Sequence, residues 1–151
     1  MTIKKIACCT DFSEHSKSAF VQALDLAEKY KAKLYVVHVL PPLINPMSIE
    51  TDWVMPEEPK KTWILDIEER MRLEYGSKIK KSIDSELLVL DGHVSSEILN
   101  FIDKNGIDLI VMGSYGLSGM GLVFFGSVAK RVASKAECSV LIVRNKKDVQ
   151  S

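Results

Sequence analysis

The chain has no surplus of charge of either sign: 20 basic and 20 acidic residues give a formal net charge of zero. No stretch concentrates Lys and Arg, which excludes the basic face that drives nonspecific binding to nucleic acid or anionic membrane. Long apolar runs are missing as well; none approaches the ~20 residues needed to cross a bilayer. The opening Met1-Thr2-Ile3-Lys4-Lys5-Ile6 carries no extended apolar segment of the kind a secretory signal needs. Cysteine is scarce and odd in number, with Cys8 and Cys9 adjacent and Cys138 far away. That is no disulfide framework, and it points to a reducing compartment. The expectation is a cytoplasmic protein with neither nucleic acid nor membrane as partner.

What is present is an ordinary globular composition. With 151 residues, 46% hydrophobic and 26% charged, the chain is expected to form one domain with a substantial core. Residues 3–9 read as a short buried strand ending in Ile6-Ala7-Cys8-Cys9. Thr10-Asp11-Phe12-Ser13 then forms a turn, with Ser13 as helix N-cap. From Glu14 to Tyr30, Ala19, Phe20, Ala23, Leu24 and Ala27 fall on one helical face. Residues 33–40 form a second strand rich in β-formers.

All five prolines lie between Pro41 and Pro59, marking residues 41–60 as an irregular excursion. Its Ile44, Met47, Ile49, Trp53, Val54 and Met55 either cover an edge of the core or form a lid or partner surface. A helix is predicted from about Lys61 to Ser82, with Gly76 costing about 1 kcal/mol against alanine inside it. A third strand spans residues 86–90. A short helix starts at Ser95-Ser96-Glu97 and stops at Asn105-Gly106. A fourth strand (109–112), a helix over Gly126–Lys135 and a fifth strand (140–143) follow. Residues 146–151 are expected to be a flexible tail. Strands alternating with helices imply a parallel sheet covered on both faces, because parallel strands need crossover connections. The strands are continuous apolar runs, as burial on both sides demands.

The chain is organised around residues 108–144. Five of the eight glycines lie between Gly113 and Gly126, between a buried strand and a helix start. Glycine permits sharp bends and close backbone approach, and the positive end of a helix dipole there can receive an anion. The cluster therefore reads as a phosphate-binding loop.

The pattern Gly113-x2-Gly116-x9-Gly126-Ser127, set between Val111-Met112-Gly113 and Val140-Leu141-Ile142-Val143-Arg144, resembles the universal stress protein family. The resemblance extends to Ile6-Ala7-Cys8-Cys9-Thr10-Asp11-Phe12-Ser13, to residues 34–39, to Gly92–Glu97 and to Asn105–Gly116. It implies a flavodoxin- or Rossmann-like doubly wound fold with five parallel strands in the order 3-2-1-4-5, helices on both faces, over residues 1–145. It also implies a homodimer through the last strand. In such a sheet, ligands bind where the strand order reverses, outside the carboxyl ends of strands one and four. The intact glycine pattern goes with the ATP-binding branch of the family. By that resemblance Gly113, Gly116, Gly126, Ser127 and Val128 hold phosphates and ribose. Cys9, Thr10, Asp11, Val39 and Met112 line the nucleoside end. The ligand implied is ATP, alone or with Mg or Mn. Two positions depart from the family: Cys9 and Val94 stand where proline is common.

Chemistry beyond binding has little support. No Gly-Lys-Ser/Thr follows the glycines, so the loop is not a Walker A motif. Asp91 is a candidate metal or water positioner but lies two strands from the crevice, and Lys130 and Arg131 read as solvent-facing charges. Cys8 and Cys9 read as small apolar fillers pointing to opposite faces of their strand, the alternative being a redox site with Cys9 exposed beside the crevice, and His38 reads as a core histidine. His15, His38 and His93 have no zinc-site spacing, and no Gly-x-Ser-x-Gly elbow occurs. Leu122-Val123-Phe124-Phe125 reads either as a plug over the sheet edge or as a subunit contact. The sequence thus points to a nucleotide-dependent stress-response module with little or no hydrolysis. Its rivals are a slow metal-assisted ATP hydrolase and a dimeric partner-binding module without nucleotide.

Overall fold

In the computed structural model, which describes residues 2–42, 57–114 and 126–145, strand β1 (Lys5–Cys9) runs through the centre of the molecule. It leads into helix α1 (Glu14–Tyr30), strand β2 (Lys33–Leu40) and helix α2 (Glu57–Glu74). A single 3-10 turn (Gly76–Lys78) precedes strand β3 (Ser85–Asp91), helix α3 (Val94–Asn105) and strand β4 (Leu109–Gly113). Helix α4 (Ser127–Lys135) and strand β5 (Ser139–Val143) complete the fold. All strand pairs are parallel, and the order is β3-β2-β1-β4-β5. The five-stranded doubly wound sheet expected from the sequence is the sheet observed.

Side-chain alternation divides the core in two. Ile6, Cys8, Leu34, Val36 and Val111 face α1 and α2, meeting Ala19, Phe20, Ala23, Ala27, Met71 and Tyr75. Ala7, Tyr35, Val37, Ile110 and Met112 face α3 and α4, meeting Ile98, Phe101, Ile102, Ala129 and Val132. The two faces are covered by different helix pairs because the chain winds outward from β1 to β3, then crosses back to β4. A right-handed crossover in each direction must use opposite faces.

Local chemistry sets most boundaries where the sequence predicts them, and α1 and β2 match throughout. Ser13 caps α1 by accepting a hydrogen bond from the Ser16 N–H, and Lys31 closes it in the left-handed region. Strand β1 begins at Lys5 rather than at residue 3, boundaries of β3, β4, α4 and β5 shift by single residues, and α2 and α3 differ as follows. Helix α2 begins at Glu57, inside the predicted excursion. Pro59 then sits in its first turn, where a missing N–H costs nothing because no intrahelical acceptor exists for it. The same helix stops at Glu74 rather than continuing to Ser82. Gly76 opens the 3-10 turn there, and a Cβ on it would lie 3.1 Å from Leu87 Cδ1. Helix α3 begins at Val94, one residue early, with His93 as N-cap. The apolar residues of 43–56, the Leu122–Phe125 run, Gly116 and the tail lie outside the described residues.

Alanines at four-residue intervals on α1 let this helix lie close to the sheet, and at its first turn the approach is closest. A Cβ on Gly113 would fall 2.8 Å from both the carbonyl carbon and the oxygen of His15. Gly106 presents the opposite case: its φ is +61° but nothing lies within 4 Å of a built Cβ. The two glycines should therefore fail differently. Gly106→Ala is expected to cost about 1 kcal/mol from backbone conformation alone, and Gly113→Ala about 1–3 kcal/mol from overpacking. Urea unfolding measures both; equal small losses would show that α1 yields freely at Gly113.

Candidate functional site

Two chain segments leave the carboxyl ends of the neighbouring strands β1 and β4 toward opposite faces, at the reversal of strand order where doubly wound sheets form their ligand crevice. The first is the exit of β1. The Thr10 N–H donates to the Val37 carbonyl at 2.9 Å, extending the β1–β2 ladder by one residue. The Asp11 carboxylate oxygen Oδ1 then accepts the Ser13 N–H at 3.0 Å, a side-chain-closed turn of the type aspartate favours. Between them Phe12 adopts φ +66°, a left-handed conformation that costs a bulky residue roughly 1–3 kcal/mol. The Phe12 ring is held by the His38 ring at 4.9 Å and the Arg70 guanidinium at 4.0 Å from its centroid.

The second segment is the exit of β4. Ser114, almost fully buried, donates its N–H to the Val143 carbonyl at 3.0 Å and accepts the Gly126 N–H at 2.7 Å. These two bonds close the base of the glycine-containing loop, so both of its ends start from fixed positions. Gly126 is the N-cap of α4 and supplies no side-chain cap, and the first turn of α4 carries no acidic residue. The other described helix starts are compensated: α1 has the Ser13 cap and Glu14, and α3 has Glu97 in its first turn. Among the described residues, the α4 start has neither a side-chain cap nor a first-turn carboxylate to compensate its partial positive charge.

The structure brings most of the expected site residues together. Cys9, Val39, Met112 and Val128 pack in the same apolar cluster, on the α3–α4 face at the carboxyl ends of β1, β2 and β4. Gly126 and Ser127 stand at the start of α4, with Ser127 exposed. Thr10 and Asp11 form the opposite wall. Gly113 sits at the crevice, but its bare Cα faces the α1 backbone, so packing alone already requires glycine there. Sequence reasoning missed Ser114, whose signal was only its place after the first glycine. It also missed Tyr75 and Arg70, which reach the turn from a helix that no sequence spacing links to it.

Thiols and charges near the crevice are quiet. Cys8 and Cys9 point to opposite faces, as expected. Burial pushes the Cys8 thiol up, with Cys9 adding to it, and raises the half-buried Cys9 to about 12, so neither is a ready nucleophile. Asp91 is ion-paired with Lys60. Lys130 and Arg131 are both exposed as expected, and Arg131 also donates to the Ser95 hydroxyl at 2.8 Å. A cavity of about 430 Å³ lies at the other end of the sheet, lined by Asp103, Asp108, Glu137 and Cys138 among others. Its carboxylates disfavour a phosphate, and Asp108 already accepts the Lys4 and Lys5 N–H groups.

A five-stranded sheet of order 3-2-1-4-5 with an apolar crevice at its reversal defines a flavodoxin-like α/β protein. Comparison with known proteins narrows that class. Residues 2–144 match the model of the universal stress protein family. The chain is 33% identical to universal stress protein MJ0531 of Methanocaldococcus jannaschii, over 95% of this chain and 84% of that protein. The chain belongs to the universal stress protein family. Among solved structures it resembles universal stress protein UspA from Lactobacillus plantarum, with TM-score 0.74 at 22% identity, covering 95% of this chain and 99% of that one. A universal stress protein in complex with cAMP gives TM-score 0.68 at 23% identity, covering 95% and 98%. The Archaeoglobus fulgidus protein in complex with dAMP gives 0.59 at 22%, covering 94% and 98%.

His38 offers a test of this architecture. Its Nδ1 lies 2.8 Å from the Thr10 carbonyl, which can only accept, so Nδ1 carries the proton. Burial holds its pKa below the ordinary 6.5, the Thr10 carbonyl and Asp11 oppose, and Arg70 lowers it further. As pH falls through 6.5, the unfolded imidazole takes up a proton before the folded one does, so stability drops in that window. Denaturant unfolding between pH 7.5 and 5.5 should show this loss, and His38→Asn should flatten it. An unchanged slope in the variant would assign the loss to other groups.

Proposed function

We propose that this chain binds an adenine nucleotide, ATP foremost, in the crevice between the β1 and β4 exits. The observation that carries the reading is the start of α4, whose dipole is compensated by neither cap nor carboxylate. It opens beside an apolar floor of Cys9, Val39, Met112 and Val128. A phosphate suits the first and a nucleoside the second. Family membership, and the cAMP and dAMP named for similar structures, support the same ligand class. Gly113, Gly116, Gly126, Ser127 and Val128 would hold phosphates and ribose, with Thr10 and Asp11 at the nucleoside end. Mg or Mn, where bound, would screen phosphate charge.

The reading favours retention of ATP over its turnover. Asp91 is paired with Lys60 and lies two strands away, and no Gly-Lys-Ser/Thr follows the glycines to bridge phosphates and hold a metal. The output is then a nucleotide-dependent interaction state. The test is to denature the purified protein and identify the released small molecule by mass spectrometry. Near-stoichiometric ATP is expected. ADP or AMP would favour the slow hydrolase instead. An empty protein that also gives no heat on titration with ATP would overturn the reading. Gly116→Val should abolish binding with little change in melting temperature; Gly113 is unsuited to this purpose because its substitution strikes α1.

The same reading includes a homodimer through β5, an edge strand on which Leu141 is 36% exposed. Apolar edges invite pairing, and a two-fold contact satisfies both copies at once. Sedimentation velocity should give a dimer for the wild type and a monomer for Leu141→Asp. A monomeric wild type at micromolar concentration would sink the assignment.

A further inference from the structure

The Thr10 hydroxyl stands at the centre of a buried relay whose direction follows from counting protons. Ser16 Oγ donates its single proton to the Ser13 carbonyl at 2.9 Å. In its 3.1 Å contact with Thr10 Oγ1 it must therefore accept, so the Thr10 proton points to Ser16. Thr10 Oγ1 in turn accepts the Phe12 N–H at 3.0 Å. Its remaining contact is with the Tyr75 hydroxyl, and Tyr75 must be the donor, since each hydroxyl has one proton to give. The order Tyr75 to Thr10 to Ser16 to Ser13 leaves every acceptor site of Thr10 Oγ1 filled.

Tyr75 comes from the far end of α2, where its N–H still closes on the Met71 carbonyl at 2.8 Å and only 1% of the residue is exposed. Its ring also meets Phe20 at 4.8 Å and Phe12 at 6.0 Å. Five residues earlier, Arg70 places its guanidinium over the Phe12 ring. Arg70 of α2 and Tyr75 just past its end thus bear on the residue in the left-handed conformation, which sits directly after Asp11. The local bonds from the Phe12 N–H to Thr10 Oγ1 and from the Ser13 N–H to Asp11 Oδ1 shape the turn, and these long-range contacts hold it from outside as well.

We infer that Tyr75 and Arg70 are positioning residues for the Thr10–Asp11–Phe12 turn, so that ligand binding at this turn and docking of α2 are coupled. Neither side chain touches the crevice floor; they act through the turn. The inference rests on the nucleotide reading for its ligand, but not for its geometry. A nucleotide that fixes Asp11 tightens α2 against the sheet, and a loosened α2 weakens the nucleotide by the same factor, as reciprocity of coupling requires.

The test uses the full chain and Tyr75→Phe, which keeps the ring and removes only the donor. Hydrogen–deuterium exchange without ligand should be faster in the variant over residues 10–16 and unchanged over α3 and β4. Titration with ATP should show affinity reduced about tenfold, the scale of one lost buried hydrogen bond. In the wild type, saturating ATP should slow exchange over residues 67–75, and in Tyr75→Phe this protection should shrink. Arg70→Gln should act in the same direction on residues 10–16. Wild-type affinity together with wild-type exchange at residues 10–16 in Tyr75→Phe would overturn the inference. Uniformly faster exchange across all elements would do so too, by reducing Tyr75 to a general stabiliser. If the wild type ignores ATP, the nucleotide reading falls, and exchange at residues 10–16 alone decides whether Tyr75 positions the turn.

Discussion

Strand β1 pairs with β4 across a sequence separation of about a hundred residues, and nearly everything else is placed by that pairing. Ile6, Ala7 and Cys8 lie opposite Leu109, Ile110 and Val111. At its lower end the register is pinned by Asp108, whose Oδ2 accepts the N–H groups of Lys4 and Lys5 at 2.9 and 3.0 Å, while the Asp108 N–H returns to the Lys5 carbonyl. Lys5 Nζ adds a bond to the Asn105 carbonyl at 2.9 Å. A slip of one residue would turn the apolar set of β1 to the wrong face. With the register held at the bottom, the carboxyl ends of both strands arrive level at the top, and their exits diverge to opposite faces. The crevice is the space left by that divergence.

The two walls of the crevice are made in different ways. On the β4 side, main-chain bonds through Ser114 close the loop base and leave the α4 start uncapped. On the β1 side, a strained residue is held by side chains from β2 and α2. Strain of this kind persists only where its surroundings over-determine it, and here they do so through rings, a guanidinium and a filled set of hydroxyl bonds. One wall offers positive potential, the other a carboxylate in a defined orientation. Between them lies an apolar floor. Such an arrangement suits a ligand that is anionic at one end and flat and polar-edged at the other.

Gly113 shows why a motif residue can have two reasons to exist. The glycine spacing suggested close approach of a phosphate, and the fold shows the α1 backbone so near that a Cβ on Gly113 would fall 2.8 Å from it. Packing requires a glycine there whatever the ligand does. A motif built on that residue therefore reports the fold first, and only the whole constellation reports the ligand. Gly126 is different: it serves as an N-cap without a capping side chain, which Ser, Thr or Asp would have supplied.

Much of the fold was legible because its causes are local. Period-four alanines in α1, the continuous apolar runs of five strands, the Ser13 cap and the Gly106 stop each act within a few residues, so the order of elements and the parallel sheet follow from sequence alone. The early end of α2 was not legible, since Gly76 reads from sequence only as a cost inside a helix, whereas the chain turns to 3-10 there beside Leu87 of β3. Nor was its early start at Glu57, where Pro59 reads as a breaker until its place in the first turn is known. For the site, composition and glycine spacing identified the β4–α4 junction, and family resemblance supplied Cys9, Val39 and Met112. The relay from Tyr75 through Thr10 to Ser16, the cradle around Phe12 and the steric reason for Gly113 were decided by tertiary structure alone. Each joins residues distant in sequence, and only the β1–β4 register and the packing of α1 and α2 on one face bring them within hydrogen-bonding distance.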